Sequence, residues 1–242
     1  MAENELRFLA MLAACTPAEG PIVEIGSFKG KSTVALATVC DRYGLDPVVA
    51  IDPHAGLSYL GPDVPLQTPT FDEFLASIKA AGVEQKVEVR RAHSRDVAKE
   101  WDRPIRLLWI DGDHSYAGCK EDFDLFLPHL SNGGVVAFHD ALNSFDGPIR
   151  VFAEEVLRSD RFGAAGFVHS IAWAQYRPGD GARFSKQRAK LERLASRLVP
   201  FVNGSPLVGV RKIAYKLHRS RVPRKPISPE EWVRLISTTN AV

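Results

Sequence analysis

Cysteine is scarce in this chain: Cys15, Cys40 and Cys119 are the only three in 242 residues. An odd, small set embedded in apolar helical patterns excludes a disulfide-stapled scaffold and predicts reduced, buried thiols. No uninterrupted apolar run is long enough to span a bilayer. The first residues, MAENELRFLAMLAACTPAEG, carry acids where a secretion signal carries bases. The expectation is a cytoplasmic protein. Internal repeats and low-complexity tracts are also missing. Basic residues are plentiful, but no aromatic stacking platform interleaves with them, which speaks against a nucleic-acid partner.

What is present suits a globular protein with a sizeable core: 45% of residues are hydrophobic and 25% charged. The net charge of +2 hides an asymmetry. Between Arg183 and Lys225 thirteen Lys or Arg residues face one acid, Glu192, so that segment carries +12 and the rest carries −10. This divides the chain into residues 1–180, a catalytic-type domain, and residues 181–242, a basic helical extension. Three roles are open for the extension. It can pack on the domain through Leu191, Leu194 and Leu198, meet an anionic membrane surface with its narrow apolar stripe, or join two copies of the chain.

Along residues 1–180, helical and strand patterns alternate. ENELRFLAMLAAC (3–15) spaces Leu6, Leu9, Ala10 and Ala13 as one helical face. PIVEI (21–25) is a short strand entering a turn, and KSTVALATVCDRYG is a helix that stops at Gly44. PVVAID (47–52) is a strand, 53–68 a Pro- and Gly-rich loop, and Phe71, Phe74, Leu75, Ile78 and Ala81 mark a helix ended by Gly82. KVEVRRA (86–92) and IRLLWID (105–111) are strands, the second apolar throughout, as for a strand covered on both faces. Tyr116, Cys119, Phe123, Phe126 and Leu130 share a helical face. Gly133-Gly134 reads as a turn into VVAFHD, Pro148 as the start of a helix to Ser159, and FGAAGFVHS with IAWAQYRP as a closing β-pair.

This order specifies an α/β fold: a doubly wound, mostly parallel sheet with an antiparallel edge. Ligands in such folds bind beyond the carboxyl ends of the strands. Those ends carry Glu24, Asp52, Ala92-His93-Ser94, Asp111 and His139-Asp140. In the extension, Asn203-Gly204 splits two amphipathic stretches, and Ser228-Pro229-Glu230-Glu231 is a capping box opening a last helix with Trp232 and Ile236.

The turn VEIGSFKGKST (23–33) lets Gly26 bend tightly and Gly30 bring backbone close to a ligand. It is one residue short of a phosphate-binding G-x-x-x-x-G-K-[ST] loop. Phe28 stands where a dinucleotide fingerprint needs glycine. Glu24 sits poorly beside a pyrophosphate and suits a cofactor with a cationic amino-acid group. Asp52, 26 residues after Gly26, stands where such folds bind ribose hydroxyls.

Three motifs in this order, E-I-G-S-x-x-G, I-D-G-D-H-S-Y and G-G-V-V-A-F-H-D, resemble class I S-adenosylmethionine (SAM)-dependent methyltransferases over residues 5–178. More narrowly they are similar to the bacterial O-methyltransferase-like group that includes macrocin O-methyltransferases and cephalosporin hydroxylase-type proteins. The resemblance implies that Glu24, Gly26, Ser27 and Gly30 hold the methionine part of SAM, Asp52 the ribose and Ser94 the adenine side. Ser32 and Asp111 complete the implied cofactor set. It further implies a divalent cation, Mg²⁺ or Mn²⁺, on Asp111 and Asp140. His139 stands in place of the usual third oxygen ligand, an arrangement that disfavours Mg²⁺.

Without a metal, His139 or His114 is the natural general base beside Asp111. Asp113 reads as a helix cap, and His54 and His93 as solvated or cofactor-adjacent. The implied activity is methyl transfer to a hydroxyl of a small molecule, sugar or lipid-linked glycan. A nicotinamide-dependent oxidoreductase and a non-catalytic SAM-binding module are the rival readings.

Overall fold

A computed structural model describes residues 1–55, 69–203 and 207–237. Most of the expected loop 53–68, Gly204 and the last five residues of the extension lie outside those described. Seven strands form one sheet: β1 (Ile22–Ile25), β2 (Val48–Ile51), β3 (Val87–Arg90), β4 (Ile105–Ile110), β5 (Leu130–Phe138), β6 (Phe162–Val168) and β7 (Ile171–Tyr176), in the order β3-β2-β1-β4-β5-β7-β6. The first five are parallel, and β7 runs antiparallel between β5 and the edge strand β6. This is the expected doubly wound sheet with an antiparallel closing pair.

Strand register decides what the sheet presents at its carboxyl edge. Ile25 pairs with both Ile51 and Ile110, and Ile110 with Phe138. The next residue of each strand therefore falls in one row: Gly26, Asp52, Asp111 and His139. Alternation of side chains along the strands splits the core in two. Ile25, Leu108, Ile110 and Phe138 face α5 (Tyr116–Phe126) and α6 (Asp146–Val151). Leu107, Trp109 and Ala137 face α1 (Glu3–Cys15), α2 (Lys31–Tyr43) and α3 (Phe71–Ala80).

The basic extension is built into both layers. Leu191 and Ala195 of α7 (Ser185–Ala195), Leu198, and Tyr215 of α8 (Gly209–Ser220) are buried on the α5 side, while Leu194 is half-buried. Trp232 of α9 (Pro229–Ser237) closes the opposite side against Phe8 and Trp173, with its indole N–H donating to the Cys15 carbonyl at 3.2 Å. Ser228 caps α9 as expected, accepting from the Glu231 N–H.

Four local expectations change. The buried face of α1 is Glu5, Phe8, Leu9, Leu12 and Ala13, whereas Leu6 and Ala10 are only half-buried. The helix is rotated so that an acid, Glu5, points inward. Leu130 opens β5, because Pro128 ends the helical run in a single 3₁₀ turn. Gly133-Gly134 lies inside β5 as an irregularity, where pairing jumps from Ile105↔Leu130 to Leu107↔Val135. The helix expected from Pro148 to Ser159 begins at Asp146, and from Phe152 to Val156 its turns widen to i→i+5 bonding.

Candidate active site

The β1–α2 turn is shaped by backbone conformations that side chains resist. Gly26 has φ +88°, and a Cβ there would stand 2.4 Å from the Asp111 carbonyl oxygen. Glycine is required because β1 and β4 must end side by side. Gly30, at φ +85°, precedes α2, and a Cβ there would press on Phe74 of α3 at 3.2 Å. Its lack of a side chain lets the turn approach α3 closely. The Phe28 N–H donates to Asp52 Oδ2 at 2.8 Å, and the His54 N–H to Asp52 Oδ1 at 2.6 Å. Asp52 is thereby oriented at the rim of the turn with lone pairs to spare.

A cavity of about 600 Å³ opens over this row of strand ends. Its size is that of a small-molecule site. Gly26, Ser27, Ser32, Asp52, Ser94 and Asp111 line it. Glu24 and Gly30 do not. Glu24 is wholly buried behind the turn, where one oxygen accepts from the Thr33 hydroxyl and the other has no hydrogen-bond partner. Burial pushes its carboxyl up to about 8, against the pull of Ser32 and Thr33, with Asp111 and Asp52 adding repulsion. The Asp52 and Asp111 carboxylates beside the turn favour a cationic ligand group.

Asp122 of α5 went unnoticed in the sequence. It is buried, lines the same cavity and accepts from the Ser94 hydroxyl at 2.5 Å. Burial raises its carboxyl to about 7 despite that bond. Its signal was positional: an acid on the same helical face as Cys119, Phe123 and Phe126. Nearby, Ser115 rather than Asp113 caps α5, its hydroxyl accepting from the Gly118 N–H at 3.1 Å. Asp113 braces the turn by accepting from the Ser115 N–H. His93 lines the cavity. His54 is neither solvated nor in the cavity: it is buried against Phe71 and Phe74, with Nδ1 2.9 Å from the Thr70 hydroxyl.

At the β4 and β5 ends four groups converge. His139 Nδ1 lies 2.9 Å from Asp111 Oδ1, and its Nε2 faces Glu5 of α1 at 3.6 Å, a charge contact. Burial opposes a charged ring. The bond to Asp111 and the nearness of Glu5 and Asp140 outweigh it and raise His139 to about 10. His139 is therefore a cation at neutral pH. Burial works to raise Glu5 as well, but His139, the Ser170 hydroxyl and the Ala2 N–H hold it well below the carboxylate range. His114 Nε2 stands 3.6 Å from both Asp111 Oδ1 and Asp140 Oδ2. Its ring packs on Phe145 at 4.6 Å. The structure thus gathers Asp111, His114, His139 and Asp140, and adds Glu5 and Ser170, which sequence reasoning missed.

A family model described as a methyltransferase domain matches residues 23–141. Among solved structures the chain is similar to the O-methyltransferase NovP, with 14% identity over 72% of this chain and 80% of that one, at a TM-score of 0.59. It is similar to an O-methyltransferase from Bacillus cereus in complex with S-adenosylhomocysteine (SAH), with 21% identity over 73% and 82% of the two chains and a TM-score of 0.55. It is also similar to TomG from Streptomyces achromogenes, an O-methyltransferase involved in tomaymycin synthesis and seen in complex with SAM, with 21% identity over 73% and 81% and a TM-score of 0.54. At such identities the likeness is one of fold. The matched segment runs from β1 to just past β5, the strands whose ends floor the cavity, so residues 23–141 match a methyltransferase domain on a fold that the chain shares with solved SAM-dependent O-methyltransferases.

Proposed function

We propose that this protein transfers the methyl group of SAM to a hydroxyl of a small-molecule or glycan acceptor, with His114 taking the hydroxyl proton. The observation that carries this reading is the continuity of the cofactor cavity with the Asp111, His114, His139 and Asp140 cluster. In the reading, the Gly26–Ser32 turn holds the methionine end, Asp52 the ribose, and Ser94 with Asp122 the adenine side. Glu24 backs the turn through its bond from the Thr33 hydroxyl. Residues 1–180 carry the chemistry, and Arg219 and Arg224 of the extension cover the acceptor side.

The sulfonium is already activated, so alignment and proton removal are the protein's share. The acceptor oxygen gives its proton to His114 Nε2 and attacks the methyl carbon, the carbon–sulfur bond breaks, and SAH leaves. The imidazolium formed at His114 faces two carboxylates that balance its charge. His139, already protonated, holds Asp111 in place instead of serving as the base.

A divalent ion is the second reading, because Asp111, His114 and His139 offer ligand atoms within 4.8 Å of one another. Two imidazoles do not suit Mg²⁺, which takes oxygen ligands. A mixed imidazole and carboxylate set is better matched to Mn²⁺, Fe²⁺ or Zn²⁺, which Asp111, His114 and a deprotonated His139, with Asp140 beside them, would hold as a Lewis acid toward the hydroxyl. Calorimetry of the full chain with SAH, with NAD in parallel, tests the main reading. SAH binds and NAD does not if it is right; NAD binding, or no SAH binding, sinks it. Once an acceptor is found by SAH release, unchanged turnover in chelator removes the ion and leaves proton transfer to the protein's own side chains. Turnover lost in chelator and restored by Mn²⁺ supports the ion.

We infer also that α8 meets an anionic membrane surface. Val210, Ile213 and Leu217 form an exposed apolar stripe flanked by exposed Lys212 and Lys216. Apolar insertion and basic flanks together are what such surfaces select, each basic residue contributing about 1 kcal/mol. No helix among the described residues is long and apolar enough to cross a membrane, so contact through α8 would be peripheral. The protein is expected to sediment with vesicles containing about a third phosphatidylserine, and Ile213→Asp with Leu217→Asp to abolish this. Equal sedimentation of both proteins, or dimerisation through this face in vesicle-free buffer, would overturn it.

A further inference from the structure

A second cavity adjoins the first, sharing His139 and Asp140 with it, and its outer wall comes from the basic extension. Arg219, at the end of α8, and Arg224, just beyond it, line this space with Asn143, His169 and Ser170. The extension is pinned there by specific bonds. The Tyr215 hydroxyl donates to the Leu142 carbonyl at 2.8 Å and accepts from the Ser144 N–H at 3.1 Å. Arg219 stands one turn after Tyr215 and so on the same helix face. The His169 N–H reaches the Arg224 carbonyl, joining the β6–β7 turn to the extension.

Charge within this cavity is sorted by position. On the floor the acids are satisfied: Glu5 faces His139 and accepts from Ser170, and Asp140 accepts from Asn143 Nδ2 at 2.6 Å. On the outer wall the cations are not. Arg219 Nη2 donates to Asn143 Oδ1 at 3.1 Å, but its Nε is buried without a partner, as is His169 Nε2. Neither Arg219 nor Arg224 lies within ion-pair distance of a carboxylate among the described residues. Unpaired guanidinium groups lining a cavity favour a planar or tetrahedral oxyanion, which they bind through paired N–H donors.

We propose that the methyl acceptor carries an anionic oxyacid group, a phosphate or a carboxylate, held by Arg219 and Arg224 of the extension. Its hydroxyl then lies by Asp140, which both cavities share and which stands 3.6 Å from His114 Nε2. This inference rests on the methyl-transfer reading and deepens it: the extension is a specificity element of the acceptor site. Carboxylates stand at one end of the cavity and unpaired cations at the other. Asn143 links the two ends by hydrogen bonds to both Asp140 and Arg219. A molecule with a hydroxyl at one end and an oxyanion at the other matches that polarity, and a neutral sugar does not.

The test uses the full chain preloaded with SAH, so that the cofactor cavity is filled, and inorganic phosphate and acetate as probes. Heat of binding is expected for at least one probe in the millimolar range. Arg219→Gln with Arg224→Gln is expected to weaken it at least tenfold, with SAH affinity unchanged within twofold. Arg224→Gln alone, at an exposed side chain, is expected to weaken it about threefold and keeps the test open if the double variant does not fold. Phosphate against acetate tells the two oxyanions apart. No heat with either probe on SAH-loaded protein, or equal binding by wild type and variants, overturns the proposal. Failure to bind SAH at all overturns the methyl-transfer reading instead.

Discussion

His114→Asn lowers kcat/KM for methyl transfer by about 10²–10⁴-fold, the range for losing a positioned general base, and leaves SAH affinity within twofold of wild type. The reasons lie in how His114 is held. Its ring is buried and packs on Phe145, and its carbonyl accepts from the Gly147 N–H at 3.0 Å. A Cβ on Gly147 would stand 2.6 Å from that carbonyl oxygen, so the start of α6 is pressed against the turn that carries His114. Asparagine keeps a polar group of similar reach but cannot take the proton. The nearby His139 cannot substitute, because its proton is held by Asp111 up to a pH of about 10. SAH release from wild type and variant, with any hydroxyl acceptor that turns over, is the measurement. A variant within threefold of wild type would remove His114 from the chemistry and leave the carboxylates or a bound ion to do it.

The largest effect on stability belongs to Gly26→Ala. The new methyl would meet the Asp111 carbonyl oxygen at 2.4 Å and Gly112 Cα at 2.6 Å, both backbone atoms of the adjoining strand end. The φ of +88° adds strain for any L side chain. Together these cost about 3 kcal/mol, a fall in Tm of about 6–12 °C for a chain of this size. SAH affinity should drop more than tenfold as well, because relieving the clash parts the ends of β1 and β4. Gly44→Ala is the internal control. Its φ is +64°, but nothing lies within 4 Å of the new Cβ, so it bears only the conformational cost of about 1 kcal/mol. Equal melting temperatures for the two variants would show that the close strand approach does not matter.

Much of the site was readable because strand ends write themselves into sequence. An apolar run that stops at a carboxylate marks where a buried strand meets the edge of a parallel sheet, and Asp52 and Asp111 were found that way. Glu5 was hidden by degeneracy in α1: Leu6, Leu9, Ala10 and Ala13 make as good a stripe as Phe8, Leu9, Leu12 and Ala13. Only packing against Trp173 and Trp232 chooses between the two faces. Asp122 was hidden because an acid between apolar helix positions looks solvated until the Ser94 hydroxyl is brought to it across the sheet edge. Asp113 and Ser115 both suited the cap of α5, and backbone geometry at the helix start gave that role to Ser115.

By itself, the sequence determined the alternation of strands and helices, the carboxyl-edge acids and the Gly26 turn. Each of these depends on local backbone preference or on the period of apolar residues, which neighbours in the chain suffice to set. Tertiary structure decided which imidazole is a fixed cation, since it brings the Asp111 carboxylate to 2.9 Å from His139 Nδ1. It also decided that the extension is part of the site. A run of basic residues reads the same in sequence whether it meets solvent, lipid or substrate. The anchoring of Tyr215 at Leu142 is what turns Arg219 toward the shared cavity.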